Sequence, residues 1–514
     1  MALRINEKPS RSISEYSLAE FLLLPGYTPQ SSPRDVDLST PLTKYHGDSE
    51  HIILKRPVLS AAMQAVTGPR MAIEMAKLGG MGVIYSSQEP AQEAGMIEEV
   101  KKYKAGFVDP YTIHPEMILS DVHEITKDRG FSTFPVVKDG KLVGYITDKD
   151  YYVNWHGGLP ASDRMKRFDL NRARSEVAFA FVDEIGGDLH KANDLLIENK
   201  HGSLPIVDRD GTLRYVVFRK DIDEHLENPF EMLDSEKRYM VGAAINTQDY
   251  EKRVPLLIEA GVDVLFIDAS QGYSEFEKKT LEYVLRNTSD TERALRWVFR
   301  EFPGVPVIGG NIVTKEGFRF LVENGAYGVK VGMGPGSICT TQEQIGVGRG
   351  QATAIIEVSA ERGKYFEETG IYIPITSDGG IRSAKDNTIT IALNADSNML
   401  GGYIAGCDES PTPVYSRIID GQEVRVKPYW GEGSDRARKF REGRYQQAGF
   451  EEGVEGWVPY TGPLKNYLDV TFAKITEGMR KAGCMSIQEL HENSVLEVRS
   501  DGAMQEGNVH DVHT

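Results

Sequence analysis

The chain has 514 residues, of which 40% are hydrophobic and 26% charged, and its formal net charge is −17. A chain of this length exceeds one ordinary hydrophobic core, so we expect two or three domains. The negative charge argues against a protein that binds nucleic acids or anionic membranes non-specifically. The three cysteines are too few and too scattered for a disulfide framework or a zinc site, and a reducing compartment fits best.

The N-terminal region contains only a brief apolar run at 21–24, which is too short for the core of a signal peptide. No apolar run approaches the roughly 18 residues that a membrane span needs. The sequence therefore predicts a cytoplasmic protein.

Eight short apolar runs that end in small residues recur along the chain. They lie at 58–62, 82–86, 240–245, 262–268, 305–310, 328–332, 371–378 and 398–402. Amphipathic helical periods follow several of them, at 71–77, 254–260, 316–323 and 387–394. Apolar strands that alternate with helices predict a parallel sheet covered on both faces, and eight such units predict an α/β (β/α)8 TIM barrel. A doubly wound sheet is the alternative.

The gap between the second and third runs contains an internal repeat. Residues 134–150 align with 204–221, and each copy predicts a strand, a tight turn with Asp-Gly and a second strand. A duplicated unit inside a loop indicates an inserted domain. We therefore predict barrel segments at 1–107 and 230–514 around an insertion at 108–229. The repeat resembles a tandem CBS pair, which implies a possible purine nucleotide ligand; a spacer without a ligand is the alternative.

A glycine-rich turn at 332–336 follows the sixth run and leads directly to Cys339. Glycines let the backbone approach a small ligand where a Cβ would clash, and N–H or C=O groups in such a turn suit a phosphate or a cation. A cysteine on this turn is placed to attack a bound substrate. The alternative is a buried, inert thiol.

Small or polar residues also stand at the ends of the neighbouring strands. Asp268 ends the fourth, Asn311 the fifth and Asp378 the seventh, and a Gly401-Gly402 pair follows the eighth. Ligands of parallel barrels bind at the carboxyl ends of the strands. These groups predict a pocket with two phosphate cradles, a carboxylate for a diol and a thiol.

Several of these segments together resemble the inosine 5′-monophosphate (IMP) dehydrogenase family. The resemblance rests on Gly334-Pro-Gly-Ser-Ile-Cys-Thr-Thr-Gln342, Asp268-Ala-Ser-Gln-Gly272, Gly309-Gly-Asn311, Ser377-Asp-Gly-Gly380 and the repeated insertion. It extends from about residue 15 to the end of the chain. The related GMP reductases share the barrel and the cysteine loop but normally lack the insertion and a flap at about 430–458.

The resemblance implies that the Cys339 thiolate adds to IMP, that hydride passes to NAD+, and that water hydrolyses the covalent thioimidate to xanthosine monophosphate, a step in guanine nucleotide biosynthesis. It implies substrate contacts from Met63, Ser337, Asp378, Gly380, Gly401, Gly402, Tyr429, Glu432 and Gly433. It implies cofactor contacts from Asp268, Ser270, Asn311, Gly332 and Gln342.

The same resemblance implies a potassium ion and a mobile flap. Carbonyl groups of Gly334, Gly336 and Cys339 would hold the ion, with Glu506, Gly507 and Asn508 of a neighbouring subunit. The usual pattern there is Glu-Gly-Gly, from which Asn508 departs.

Within the flap, Arg444 and Tyr445 would provide the base for hydrolysis. Thr341 paired with Glu452 offers a second route for the proton. Solvated surface side chains are the alternative for Arg444 and Glu452.

Two other functions remain open from the sequence, a GMP reductase and a non-catalytic nucleotide sensor built on the CBS pair. The resemblance to the family implies a homotetramer, or an octamer joined through the CBS pairs. No membrane or nucleic-acid partner is expected.

Overall fold

The computed structural model describes residues 2–4, 15–28, 30–103, 110–129, 132–186, 189–199, 202–219, 228–288, 304–438 and 453–507. The chain divides into two compact units. The first comprises Met1–Lys101, Phe230–Ser235 and Tyr239–Thr514, and the second comprises Lys102–Pro229 and Glu236–Arg238. Within the described ranges, no helix combines the length and the apolarity needed to cross a membrane.

The first unit is built on a closed barrel of eight parallel strands in sequential order. The strands are β1 (Val58–Ser60), β2 (Met81–Ile84), β3 (Val241–Ile245), β4 (Val264–Ile267), β5 (Val307–Ile312), β6 (Gly328–Val331), β7 (Ile375–Asp378) and β8 (Ser397–Leu400). Their side chains are almost all buried, because one face packs inside the barrel and the other against helices. The predicted (β/α)8 barrel is confirmed.

Helices follow the strands and cover the outside of the barrel. They are α1 (Pro69–Lys77), α2 (Pro90–Lys101), α3 (Tyr250–Glu259), α4 (Glu275–Thr288), α5 (Lys315–Glu323), α6 (Gln351–Thr369), α7 (Ala384–Ala392) and α8 (Leu464–Lys481). In α5, Phe318, Leu321 and Val322 are buried at the spacing of one helical face. The Thr314 side chain accepts a hydrogen bond from the Gly317 N–H and caps the start of this helix.

The seventh strand differs from its prediction at 371–378. Ile371–Tyr372 forms a separate strand that pairs antiparallel with Tyr45–His46, and β7 starts only at Ile375. Pro374 separates the two strands, and it has no N–H to donate to a continuous ladder. The prediction of one continuous strand over 371–378 is therefore wrong, although both parts of this apolar run form strands.

The second unit contains the two predicted strand–turn–strand repeats. Thr133–Lys138 pairs with Lys141–Thr147, and Ser203–Val207 pairs with Leu213–Phe218, all antiparallel. In the first turn Asp139 and Gly140 both have positive φ, 52° and 77°, as a two-residue hairpin turn requires. The remaining elements of this unit are Leu119–Arg129, Val153–His156, Ala161–Asp163, Lys166–Arg167, Ala180–Phe181, Val182–Ile185 and Leu189–Asn199.

A three-stranded antiparallel sheet follows the barrel, formed by Tyr415–Ile419, Gln422–Trp430 and Glu455–Pro459. It includes both ends of the predicted flap at 430–458, which therefore begins and ends in strands. The short helix Asp435–Arg438 lies inside the flap, and residues 439–452 are outside the described ranges.

The described residues of the first unit also form smaller elements. They are Ala2–Arg4, Leu18–Glu20, Phe21–Leu23, Pro33–Asp35, Thr40–Pro41, Ile53–Leu54, Thr341–Ile345, Ile487–Asn493, Val495–Val498 and Asp501–Glu506.

A buried carboxylate stands just before β4, at the N-terminal end of the barrel. Asp263 accepts a hydrogen bond from the Val241 N–H at 2.7 Å and pairs with the Lys101 ammonium. Its side chain is completely buried. Burial raises the pKa of this carboxyl, and the charge of Lys101 opposes that effect.

The same arrangement recurs just before β8. Asp396 accepts from the Ile375 N–H at 2.7 Å and from Arg362 Nη1 at 2.7 Å. The two side chains of this ion pair are 7% and 1% exposed. The N-terminal end of the barrel is thus held by buried ion pairs that also satisfy the first N–H of a strand.

We expect Arg362→Met to lower the free energy of unfolding by about 3–5 kcal/mol, because Asp396 becomes a buried charge without its cation. Urea unfolding followed by circular dichroism measures this change. The control is Arg286→Met, whose guanidinium is 79% exposed and 3.7 Å from Glu282; its effect should stay below about 1 kcal/mol. Equal unfolding midpoints for the two variants would refute the role of the buried pair.

Candidate functional site

A cavity lies at the carboxyl ends of the barrel strands, where the sequence predicts the site. Most of the predicted residues line it: Met63, Asp268, Ser270, Asn311, Gly332, Gly334, Gly336, Ser337, Cys339, Thr341, Asp378, Gly380, Gly401, Gly402, Tyr429, Glu432 and Gly433. The fold therefore brings together residues that are separated by up to 370 positions in the sequence.

The turn after β6 can only be built with glycine at two positions. Gly332 has φ +150°, and a Cβ there would lie 2.0 Å from the Asp378 carbonyl oxygen. Gly334 has φ +81°, and a Cβ there would lie 2.4 Å from Cγ of Gln342. The end of β6 consequently touches the end of β7, and the chain leaves the barrel in a tight turn toward Cys339.

Cys339 presents its thiol to the cavity. Its Sγ lies 3.1 Å from the Oγ1 of Thr341, a buried residue at the start of the helix Thr341–Ile345. Cys339 itself is partly exposed, whereas Cys407 and Cys484 are buried. Burial raises the pKa of both other thiols to about 11. Cys339 is therefore the thiol that a ligand in the cavity can reach.

The cysteine loop is hydrogen-bonded to the C-terminal part of the flap. The Val454 N–H donates to the Ile338 carbonyl at 3.0 Å, and the Gly431 N–H donates to the Val454 carbonyl at 3.1 Å. Cys339 and Gly453 form an antiparallel bridge beside them. Backbone hydrogen bonds thus hold Cys339 against the two ends of the flap.

A single buried cation links two of the predicted carboxylates. Lys330 Nζ is 3.5 Å from Asp268 Oδ1 and 3.4 Å from Asp378 Oδ2, and the Lys330 side chain is 2% exposed. Asn311 Nδ2 donates to the same Asp378 oxygen at 3.0 Å and to the Gly332 carbonyl at 2.8 Å. Asp268 is predicted to contact the cofactor and Asp378 the substrate, so Lys330 joins the two halves of the site.

Tyr429 closes the cavity beside the glycines that follow β8. Its hydroxyl contacts the Ser337 side chain and the Gly402 backbone. It also donates to the Met63 sulfur at 3.8 Å. Burial raises the pKa of Tyr429 to about 12, so this hydroxyl stays neutral near physiological pH.

Some predicted residues do not line the cavity. Gln342 turns its amide away, and its Nε2 donates to the Met333 carbonyl at 2.8 Å. Glu506 and Gly507 lie at the end of the helix Asp501–Glu506 and do not line the cavity of their own chain, and their predicted role is in a neighbouring subunit. Four further predictions, for Arg444, Tyr445, Glu452 and Asn508, fall outside the described residues.

Two residues that support the site, Lys330 and Gln64, are not among the predicted site residues. Lys330 is the one charged residue within an otherwise apolar strand, and this pattern in the sequence could have indicated its role. Gln64 follows Met63 and contacts Glu432 through its backbone N–H at 2.7 Å. No sequence pattern indicated that contact, because it joins segments about 370 residues apart.

A family model described as the IMP dehydrogenase / GMP reductase domain matches residues 15–510. The inosine-5′-monophosphate dehydrogenase of Tritrichomonas foetus is 42% identical over 97% of this chain and 96% of its own length. The enzyme of the same name from Schizosaccharomyces pombe is 35% identical over 95% of this chain and 90% of its own length.

Among solved structures, a GMP reductase variant from Trypanosoma brucei in complex with guanosine 5′-monophosphate is similar, with a TM-score of 0.83 and 27% identity. The alignment covers 97% of this chain and 98% of that chain. The alignment extends over nearly the whole of both chains, so chain length and the insertion do not separate this chain from that GMP reductase. The family prediction is confirmed: the chain belongs to the IMP dehydrogenase / GMP reductase family.

Proposed function

We propose that the chain is an NAD-dependent IMP dehydrogenase, which oxidises IMP to xanthosine monophosphate through a covalent thioimidate on Cys339. The observation that supports this best is the accessible thiol beside Thr341, in a cavity with the Asp378 carboxylate and the glycines after β8. Full-length relatives at 35–42% identity have this name.

The reaction has two chemical steps. The Cys339 thiolate forms a bond to C2 of the purine, and the C2–H bond then breaks as hydride leaves. NAD+ accepts that hydride when it is bound. Water next attacks C2 and loses a proton to a base, the carbon–sulfur bond breaks, and xanthosine monophosphate leaves as the thiol is regenerated.

The nucleotide would lie along the cavity from the thiol to the β8 end. The Ser337 hydroxyl and the backbone N–H groups of Gly380, Gly401 and Gly402 suit a phosphate. The Asp378 carboxylate would accept hydrogen bonds from the ribose hydroxyls. The remaining wall for the base and phosphate is formed by Met63, Tyr429, Glu432 and Gly433.

The nicotinamide half of NAD+ would lie on the other side of the thiol. Asp268, Ser270, Asn311 and Gly332 line this part of the cavity. Asn311 Oδ1 is buried and has no hydrogen-bond partner among the described residues. A donor from a ligand would satisfy this oxygen, so the residues fit a polar cofactor group.

The cysteine loop also suits a potassium ion. Gly334, Gly336 and Cys339 offer main-chain carbonyl oxygens. The Gly336 oxygen already accepts a hydrogen bond from the Cys339 N–H at 3.1 Å, and its second lone pair is available to a cation. Glu506, Gly507 and Asn508 of a neighbouring subunit would complete the set. A cation there would hold the loop and favour the thiolate over the thiol.

The base for hydrolysis remains a choice between two groups. Arg444 with Tyr445 is the main candidate, since both belong to the flap, whose ends are braced against Cys339. Thr341 is the alternative, because its hydroxyl is already 3.1 Å from the sulfur and Glu452 could accept its proton.

A GMP reductase is the second candidate, favoured by the similarity to the Trypanosoma brucei structure. We propose further that the insertion at 108–229 is a tandem CBS pair able to bind a purine nucleotide. The assembly proposed is a cytoplasmic homotetramer, extended to an octamer through the CBS pairs.

Incubation with IMP, NAD+ and K+ should generate NADH, which is followed by the near-ultraviolet absorbance of the reduced nicotinamide. The parallel reaction contains GMP and NADPH. Consumption of NADPH without NADH formation in the first reaction would assign the GMP reductase activity instead. Inactivity in both reactions would favour the nucleotide sensor.

Cys339→Ala should abolish NADH formation but keep IMP affinity within about tenfold, since the phosphate and ribose contacts remain. Calorimetry measures the affinity, and mass spectrometry of the wild type trapped in turnover should detect a nucleotide on residue 339. Cys484→Ala, which removes a buried thiol outside the cavity, is the control and should retain turnover. Product formation by Cys339→Ala would exclude covalent catalysis by this thiol.

Lys330→Met should raise KM for both IMP and NAD+ by at least about tenfold, because Asp268 and Asp378 lose their shared cation. Lys330→Arg retains the charge and should restore most of both affinities. Steady-state kinetics with each substrate varied in turn measures the effect, with Lys364→Met at an exposed ion pair as the control. A change confined to one substrate would contradict the link between the two halves of the site.

A further inference from the structure

Gln64 lies behind the cavity wall, immediately after Met63, and it contacts two other segments of the chain there. Its backbone N–H donates to Glu432 Oε1 at 2.7 Å. Its side-chain Nε2 donates to the Ser87 carbonyl at 3.0 Å, and its Oε1 accepts from the Trp430 indole at 3.0 Å. One residue therefore joins the ends of β1 and β2 to the segment that carries Glu432.

These contacts also determine the orientation of the Gln64 amide. A carbonyl oxygen such as that of Ser87 can only accept, and an indole N–H such as that of Trp430 can only donate. The opposite orientation of the amide would lose both hydrogen bonds. The position thus requires one donor and one acceptor on the same side chain, at the distance that glutamine provides.

The neighbouring residues leave little freedom to this network. Trp430 is 8% exposed, and the Arg436 guanidinium lies 4.0 Å from the centre of its ring on the surface side. Ser87 is also buried. If the Gln64 amide is removed, the Trp430 N–H and the Ser87 carbonyl lose a partner in a site that water reaches poorly.

We propose that Gln64 is a positioning residue for the nucleotide, which acts by fixing the Glu432 carboxylate at the cavity wall. The side chain holds the Gln64 backbone between Ser87 and Trp430, and the backbone N–H in turn holds Glu432. The inference rests on the proposed function, in which Glu432 contacts the bound nucleotide.

Other residues at this position would each fail for a stated reason. Leucine has a similar size but no polar atom. Asparagine is one methylene shorter and cannot span Ser87 and Trp430 together. Glutamate would accept from the indole, but its second oxygen would face the Ser87 carbonyl and add a negative charge beside Glu432.

The test measures IMP affinity by calorimetry and both KM values by NADH formation, in the wild type and in Gln64→Leu, Gln64→Asn and Gln64→Glu. We expect each variant to lose at least about tenfold in IMP affinity, because Glu432 is no longer held in place for the nucleotide. KM for NAD+ should change by less than about twofold, because Gln64 lies on the substrate side. Gln488→Leu, the same change on an exposed helix face, is the matched control.

A double-mutant cycle separates positioning from a general structural role. If Gln64 acts through Glu432, the variant that combines Gln64→Leu with Glu432→Ala should lose no more IMP affinity than Glu432→Ala alone. Additive losses, a joint rise of both KM values with a lower melting temperature, or unchanged IMP affinity in Gln64→Leu would each overturn the proposal. A wild type that does not bind IMP would instead refute the proposed function, and the inference with it.

Discussion

The contact between the ends of β6 and β7 is the constraint on which the site depends. Gly332 approaches the Asp378 backbone so closely that no Cβ fits between them. The same contact directs the chain into the turn that presents Cys339, and it places the Asp378 carboxylate within reach of Lys330 and Asn311. The thiol and the Asp378 carboxylate are therefore positioned together by one backbone approach, rather than by separate parts of the fold.

The charged residues at the two ends of the barrel have different surroundings. The N-terminal end is held by buried ion pairs, in which Asp263 and Asp396 also accept the first N–H of a strand. The carboxyl end instead has a buried cation shared by carboxylates that face an open cavity. The ion pairs at the N-terminal end are buried within the fold, whereas the charges that border the cavity can meet a ligand.

Much of this architecture could be predicted from the sequence, because apolar runs bounded by small residues mark buried parallel strands wherever they occur. The exception at Ile371 has a local cause, since Pro374 interrupts a run that looks continuous in composition. The site residues at strand ends were predictable for the same reason. Gln64 and the orientation of Gln342 were not, because both depend on hydrogen bonds to carbonyls whose positions only the folded chain defines.

The buried Tyr429 hydroxyl has a consequence for how the protein should respond to alkali. Exposed tyrosines become phenolates at about pH 10. Because its pKa is about 12, Tyr429 stays protonated in that range. Its absorbance should stay constant while surface tyrosines titrate. The Tyr429 hydroxyl consequently adds no negative charge beside Ser337 as the solution becomes basic, and an anionic ligand there meets the same neutral donor across that range.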